Sequence, residues 1–320
     1  MLLASLLLAP SLLPANARPS VPPTVEHDAS LPRVELHGYA FHAEHFGERG
    51  KPVLIVVHGG PGADYRYLLG LKALADDYQV VFYDQRGTGL SPRVPASQIT
   101  VQRFIDDLDA FVEAFGRGRP VHLLGHSWGA MLASAYTGIH PDKVGRLILA
   151  EPAFLDASTM DVFSTGGLPP LRVIWGFASA WIGKWFVRTD GDAYARDDWF
   201  LLQILPLTQG TGEMCDGRLP AMQAWRFGSS NFQATVGRMM DDPGFAKQLD
   251  FRKGVDAFQG PTLFLAGDCN RVVGEAHQRK LMGHFAHARL EVIPEAGHFM
   301  FNDQPELSVA AVRAFLATSD

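Results

Sequence analysis

The chain has 320 residues, 47% of them hydrophobic and 19% charged, with a net charge of −6. That is enough chain for one large core plus an insertion, and nothing in the composition sets an oligomeric state. Mixed charge without a basic run or a base-stacking aromatic motif excludes nucleic acid as a partner. No H-E-x-x-H pattern or Cys/His cluster indicates a metal, and no motif requires a cofactor.

Residues 1–17 are expected to be a secretory signal peptide. Leu2 to Leu13 is nearly all Leu, Ala and Ser, and Ala15-Asn16-Ala17 forms an A-x-A site before Arg18. The apolar run is short for a bilayer span. The usual Lys or Arg ahead of it is missing, so a mis-assigned start, and with it a cytoplasmic chain, is the alternative to export into a periplasm or medium. Residues 18–30, rich in Pro and Ser, read as a linker.

Arg33 to Phe46 alternates and predicts a two-strand hairpin. Lys51 to Val57 is a continuous apolar run, as in a strand buried on both faces, and it ends at His58-Gly59-Gly60-Pro61-Gly62. Tyr67 to Tyr78 is helical in pattern. Gln79 to Tyr83 is a second buried strand, ending at Asp84-Gln85-Arg86-Gly87-Thr88-Gly89. Thr100 is placed to cap a helix whose apolar positions run from Val101 to Phe115, with Gly116 as its stop.

Val121 to Leu124 is a short strand, followed by Gly125-His126-Ser127-Trp128-Gly129 and a small-residue helix from Ala130 to Ile139. This is G-x-S-x-G in the strand–turn–helix setting that gives it meaning, and it makes Ser127 the candidate nucleophile. Arg146 to Ala150 is the next buried strand, with Glu151-Pro152 directly behind it. From residue 153 to 258 the alternation lapses into apolar, aromatic helical hairpins. Strand-and-helix order returns with Pro261 to Ala266, a helix near Gly274 to Phe285 and a strand from Arg289 to Ile293. Gly297-His298 and a last helix after Pro305 complete the chain. The implied fold is a doubly wound, mostly parallel α/β sheet, with residues 31–152 and 259–320 as core and 153–258 as an inserted helical cap.

A serine nucleophile needs a base, an acid to orient it, and donors for the developing oxyanion. His298, just past the last strand, is the candidate base. His42, His45, His284 and His287 read as hairpin or surface residues. The backbone N–H groups of Trp128 and Gly60 are the candidate oxyanion donors.

Together HGGPG, DQRGTGLS, GHSWGA and the terminal AGH resemble the α/β-hydrolase superfamily, and within it the proline iminopeptidase-like branch. The resemblance covers essentially all of residues 31–320 outside the cap. It implies a cap over a serine-hydrolase pocket, with Asp84 and Arg86 as structural supports of the oxyanion loop. Two departures stand out. Where the family places its acid, this chain reads Gly267-Asp268-Cys269-Asn270, with asparagine at the expected aspartate. Glu151, behind the preceding strand, is the preferred substitute and Asp268 the alternative. Where the branch carries a W-E pair that holds a substrate's free amino terminus, this chain has Trp225-Arg226, a cation that would repel an ammonium group. Glu213 or Asp216 is left as the stand-in.

The tryptophans from Trp175 to Trp185 read first as core packing and second as an apolar lining or greasy cap face. Membrane contact has no other support. Cys215 and Cys269 are the only cysteines; two thiols and, in an exported chain, one cap-to-core disulfide both stay open. The expected activity is that of a serine hydrolase working through an acyl-enzyme on an ester or amide of a small, largely apolar substrate. A proline iminopeptidase-like aminopeptidase acting on short peptides and a non-catalytic hydrolase-like binding protein are the alternatives.

Overall fold

Val53–Val57 (β3) and Gln79–Tyr83 (β4) are buried at every position, as strands covered on both faces must be. Arg33–Leu36 (β1), Tyr39–Phe46 (β2), Val121–His126 (β5), Val144–Ala150 (β6), Thr262–Gly267 (β7) and Ala288–Ile293 (β8) complete an eight-stranded sheet. Its order is β1-β2-β4-β3-β5-β6-β7-β8. The β1–β2 and β2–β4 pairs are antiparallel and the other pairs parallel. This computed structural model describes residues 18–163, 171–208, 211–215 and 224–318. The expected signal peptide and Asp216 lie outside those residues.

One face of the sheet is covered by Val101–Gly116 (α1) and Trp128–Ile139 (α2), through Phe104, Leu108, Phe111, Met131 and Leu132. The other face is covered by a 3-10 helix, Tyr65–Asp76, and the helix Pro305–Leu316, through Leu68, Leu71, Val312 and Phe315. Thr100 caps α1 as its position predicts, its hydroxyl accepting the Arg103 N–H at 3.1 Å. The left-handed residue that ends α1 is Arg117 rather than Gly116. Chain order reverses between β3 and β5: β4 lies on one side of β3 and β5 on the other. Ligands of open α/β sheets sit at the C-terminal ends of the strands flanking such a switch point. Here those ends carry HGGPG and Ser127.

The connection from β6 to β7 contains Leu171–Gly183 (α3) and Ala195–Thr208 (α4), packed together around Ala180, Phe200 and Ile204. Its base is closed where Phe251 N–H meets Leu155 C=O at 2.7 Å and Ser134 Oγ donates to Phe251 C=O at 2.7 Å. The structure corrects three sequence readings in this region. Trp175, Trp181 and Trp185 are 74%, 48% and 56% exposed, so they are not core residues. Only one face of α3 meets α4, and the apolar sequence continues around the rest of the helix. Arg226 is fully buried rather than turned to a ligand: it pairs with Asp192 at 2.6 Å and with Asp198 at 2.7 Å. The charge is neutralised inside the protein and has nothing to repel. Residues 18–30, read as a linker, lie against the body. Thr24 and Val25 are buried, Val25 N–H donates to Leu90 C=O at 2.9 Å, and Arg226 Nη1 donates to Pro22 C=O at 3.0 Å.

Arg86 of the DQRG turn makes a two-pronged pair with Asp107 of α1, Nε to Oδ2 at 2.8 Å and Nη2 to Oδ1 at 2.6 Å. Its guanidinium lies 4.0 Å from the Tyr39 ring centre. Both partners are buried, so removing one strands the other. Arg86→Met is expected to lower unfolding free energy in urea by about 3–5 kcal/mol, and Arg86→Met with Asp107→Leu to recover most of it. A single-variant loss within about 1 kcal/mol, the range of exposed pairs, would contradict a buried pair.

Candidate active site

Ser127 sits between β5 and α2 with φ 53° and ψ −119°, a backbone conformation that a non-glycine residue adopts only when its surroundings enforce it. The surroundings are close. A Cβ on Gly125 would lie 2.3 Å from Gly129 C=O, and one on Gly129 would lie 2.1 Å from Val57 C=O. Both glycines are therefore required for strand and helix to meet, and the serine is forced to the apex. Its N–H is held by Ala150 C=O at 2.8 Å. Trp128 opens α2, where first-turn N–H groups have no acceptor within the helix.

Glu151 follows β6 directly and also has positive φ, 44°. Its fully buried carboxylate takes three donors: His298 Nδ1–H on Oε2 at 2.7 Å, Asn270 Nδ2–H on Oε2 at 2.7 Å, and Gly267 N–H on Oε1 at 2.8 Å. Burial holds the Glu151 carboxyl above its ordinary range, and the His298, Gly267 and Asn270 contacts offset only part of that rise. With donors on both oxygens it serves as a carboxylate. Burial works to lower His298 as well, but the hydrogen bond and charge of Glu151, with the charge of Glu213, outweigh it and leave the imidazole above the ordinary value of 6.5. Because Nδ1–H is committed to Glu151, Nε2 is the basic nitrogen.

Asn270 occupies the place where the resemblance leads one to expect aspartate. Its amide donates to Glu151, while its Oδ1 accepts Val272 N–H and Val273 N–H, each at 3.0 Å. An aspartate there would set a second carboxylate against Glu151. The amide supplies the proton instead. Asp268, the alternative acid, is exposed and accepts Ala296 N–H at 3.3 Å; the hydrogen bonds bring Glu151, not Asp268, to His298.

Gly60 has φ 132°, and a Cβ there would come within 2.6 Å of the Gly62 nitrogen. The loop is held from several sides. Gly59 N–H donates to Tyr67 Oη at 2.7 Å, which removes it from contention as an oxyanion donor. His58 Nδ1–H donates to Gly59 C=O at 2.7 Å, while its Nε2 accepts Gln85 N–H at 3.0 Å. Gln85 Nε2 donates to His58 C=O at 2.7 Å, and its Oε1 accepts Trp128 Nε1–H at 3.1 Å. Asp84, expected to be structural, accepts Tyr65 N–H at 3.1 Å and Leu90 N–H at 2.7 Å. His42, read as an ordinary hairpin residue, is buried with its Nδ1 2.7 Å from Asp84 Oδ2.

The family model described as alpha/beta hydrolase fold matches residues 52–305. The chain belongs to the α/β hydrolase fold family. A proline iminopeptidase from Heyndrickxia coagulans is 45% identical over 104 residues, 32% of this chain and 35% of that protein's length. A cis-3-alkyl-4-alkyloxetan-2-one decarboxylase from Xanthomonas campestris is 26% identical over 294 residues, 82% of this chain and 88% of that protein. A solved thermophilic esterase from Thermogutta terrifontis superposes with TM-score 0.61 at 21% identity, covering 89% of this chain and 98% of that one, a likeness of fold. The relatives by sequence include a proline iminopeptidase and an oxetanone decarboxylase, and the esterase shares the fold.

Sequence reading had no role for Tyr67 or His126, which couple the two halves of the site. Tyr67 O–H donates to His126 Nδ1 at 2.8 Å, and His126 Nε2–H donates to His298 C=O at 2.8 Å. Burial first, and the neighbouring His298 charge second, hold His126 well below the ordinary histidine range, so it stays neutral and keeps both roles. The signal that would have found it is a histidine inside an otherwise apolar elbow. Tyr67→Phe leaves the buried Gly59 N–H without a partner and is expected to cost about 1–3 kcal/mol in denaturant unfolding. A change under about 0.5 kcal/mol would show that the hydroxyl is not a bridge.

Proposed function

We propose that the chain is a serine hydrolase acting through an acyl-enzyme on an ester or amide of a small, largely apolar substrate. The observation that carries this reading is the 2.7 Å contact of Glu151 Oε2 with His298 Nδ1 beside the strained Ser127 turn. Ser127 Oγ attacks the carbonyl carbon and its proton passes to His298 Nε2. Glu151 stabilises the imidazolium that forms, and the N–H groups of Gly60 and Trp128 receive the oxyanion. His298 then returns the proton to the leaving group as the C–O or C–N bond breaks. Water, deprotonated by the same nitrogen, releases the acid and regenerates Ser127.

The inserted segment 153–258 acts as the cap above this site. Export is supported by the composition of residues 2–13 and by the Cys215–Cys269 disulfide, a bond of oxidising compartments.

One observation favours the proline iminopeptidase-like reading as second. Glu213 adjoins the base, its C=O accepting His298 N–H at 2.8 Å, and a carboxylate on a residue beside the reacting centre suits a substrate ammonium group. Competing p-nitrophenyl esters against prolyl and alanyl arylamides separates the two. Preference for the esters supports the first reading, and rapid arylamide cleavage without ester preference supports the second.

A fluorophosphonate is expected to label Ser127; an unlabelled chain would favour a non-catalytic binding protein. Glu151→Gln is expected to lower turnover by roughly three to four orders of magnitude while Asp268→Asn stays near the parent. The active form carries neutral His298, so kcat/KM falls as pH drops through the raised histidine value. That acid limb lies above the ordinary 6.5 and moves to lower pH in Glu151→Gln. The reverse ranking of the two variants would transfer the acid's role to Asp268.

A further inference from the structure

Residues 212–215 belong to the long connection between β6 and β7, yet their contacts go to the loops that carry the site. Glu213 C=O accepts His298 N–H at 2.8 Å, and Gly212 C=O accepts Arg271 N–H at 2.8 Å. Where a Cβ on Gly297 would stand, Glu213 C=O is 2.6 Å away and the Met214 Cα 2.9 Å away. Met214 itself is buried. Cys215 then closes a disulfide on Cys269. Cys269 adjoins Asn270, whose amide holds Glu151, and its own N–H donates to Ala296 C=O at 3.0 Å.

The loop that carries His298 has no ladder of its own. Its backbone is secured one bond at a time: Ala296 N–H to Asp268 Oδ1, Gly297 N–H to Asp303 Oδ2 at 2.8 Å, and His298 N–H to Glu213 C=O. Losing the last of these leaves the His298 backbone held only at its C=O, by His126 Nε2–H at 2.8 Å.

We propose that the Cys215–Cys269 disulfide and Glu213 are positioning groups for His298. The disulfide clamps Gly212–Cys215 onto the loops behind the acid and the base, and the clamped segment fixes the His298 backbone and carries the Glu213 carboxylate on the residue bonded to it. The inference rests on His298 acting as the general base. A base misplaced by about 1 Å loses up to a hundredfold in rate, so the clamp acts on kcat before it acts on substrate binding.

The test uses the full chain with ester substrates, comparing Cys215→Ser/Cys269→Ser with Glu213→Gln. The disulfide-free variant, checked for folding by circular dichroism, is expected to lose kcat by roughly tenfold to a hundredfold with a far smaller change in KM. Treating the parent with a phosphine reductant should reproduce that loss, and the same treatment should leave the variant unchanged. Glu213→Gln should move the acid limb of kcat/KM to lower pH, because the charge that favours imidazolium is gone. A folded disulfide-free variant with parental kcat, or a Glu213→Gln limb that does not move, would overturn the proposal. If the cysteine variant does not fold, phosphine treatment of the folded parent decides: a parental kcat after reduction would overturn the proposal. Fluorophosphonate labelling of Ser127 in the parent is measured first; its absence would overturn the hydrolase reading itself, apart from any effect of the clamp.

Discussion

The arrangement above the sheet depends on one buried ion-pairing hydrogen bond, Glu151 to His298. A carboxylate with no solvent contact is costly unless it is paired and hydrogen-bonded. Glu151 has three donors, from an imidazole, an amide side chain and a backbone N–H. Supplying them dictates its neighbours. Asparagine rather than aspartate must stand at 270, β7 must end so that Gly267 N–H points at the carboxylate, and residue 151 must accept positive φ to turn its side chain under the histidine. The compensation for that strain is an imidazole held in one tautomer with a raised proton affinity.

The second constraint is that loops far apart in sequence must agree to within a hydrogen bond. The sheet supplies the coarse placement, because β3 and β5 flank the reversal of strand order and bring the HGGPG loop and Ser127 together. A lattice of neutral polar side chains supplies the fine placement. Tyr67 and His126 join the Gly59 amide to the His298 carbonyl, and Gln85 joins His58 to the Trp128 indole. Burial keeps His58 and His126 uncharged, so each ring offers one donor and one acceptor. This is a pre-organised site, with its orientation cost met during folding.

Much of the fold was legible in the sequence because its signals are local. Buried parallel strands such as VLIVV and QVVFY declare themselves by continuity, α1 by its period and its Thr100 cap, and the elbow by glycines that a Cβ would obstruct. Glu151 follows from a chemical argument: asparagine at 270 leaves the acid to be supplied from elsewhere, with Asp268 as the alternative. The missing pieces are contacts between distant segments. Arg226 reads as a ligand-facing cation until Asp192 and Asp198 close around it. The tryptophans of α3 read as core until the packing with α4 is seen to use only one face. Tyr67 and His126 lie 59 residues apart and His126 lies 172 from His298, and no periodicity encodes such a bridge.

The central claim is that Glu151, reached from the end of β6, is the partner of His298 Nδ1. Proton NMR of the intact chain tests it most directly, through the strongly deshielded Nδ1 proton of a histidine bonded to a carboxylate. This resonance is expected in the parent and in Asp268→Asn and is expected to disappear in Glu151→Gln. A signal that survives in Glu151→Gln, or that is lost in Asp268→Asn, would contradict it.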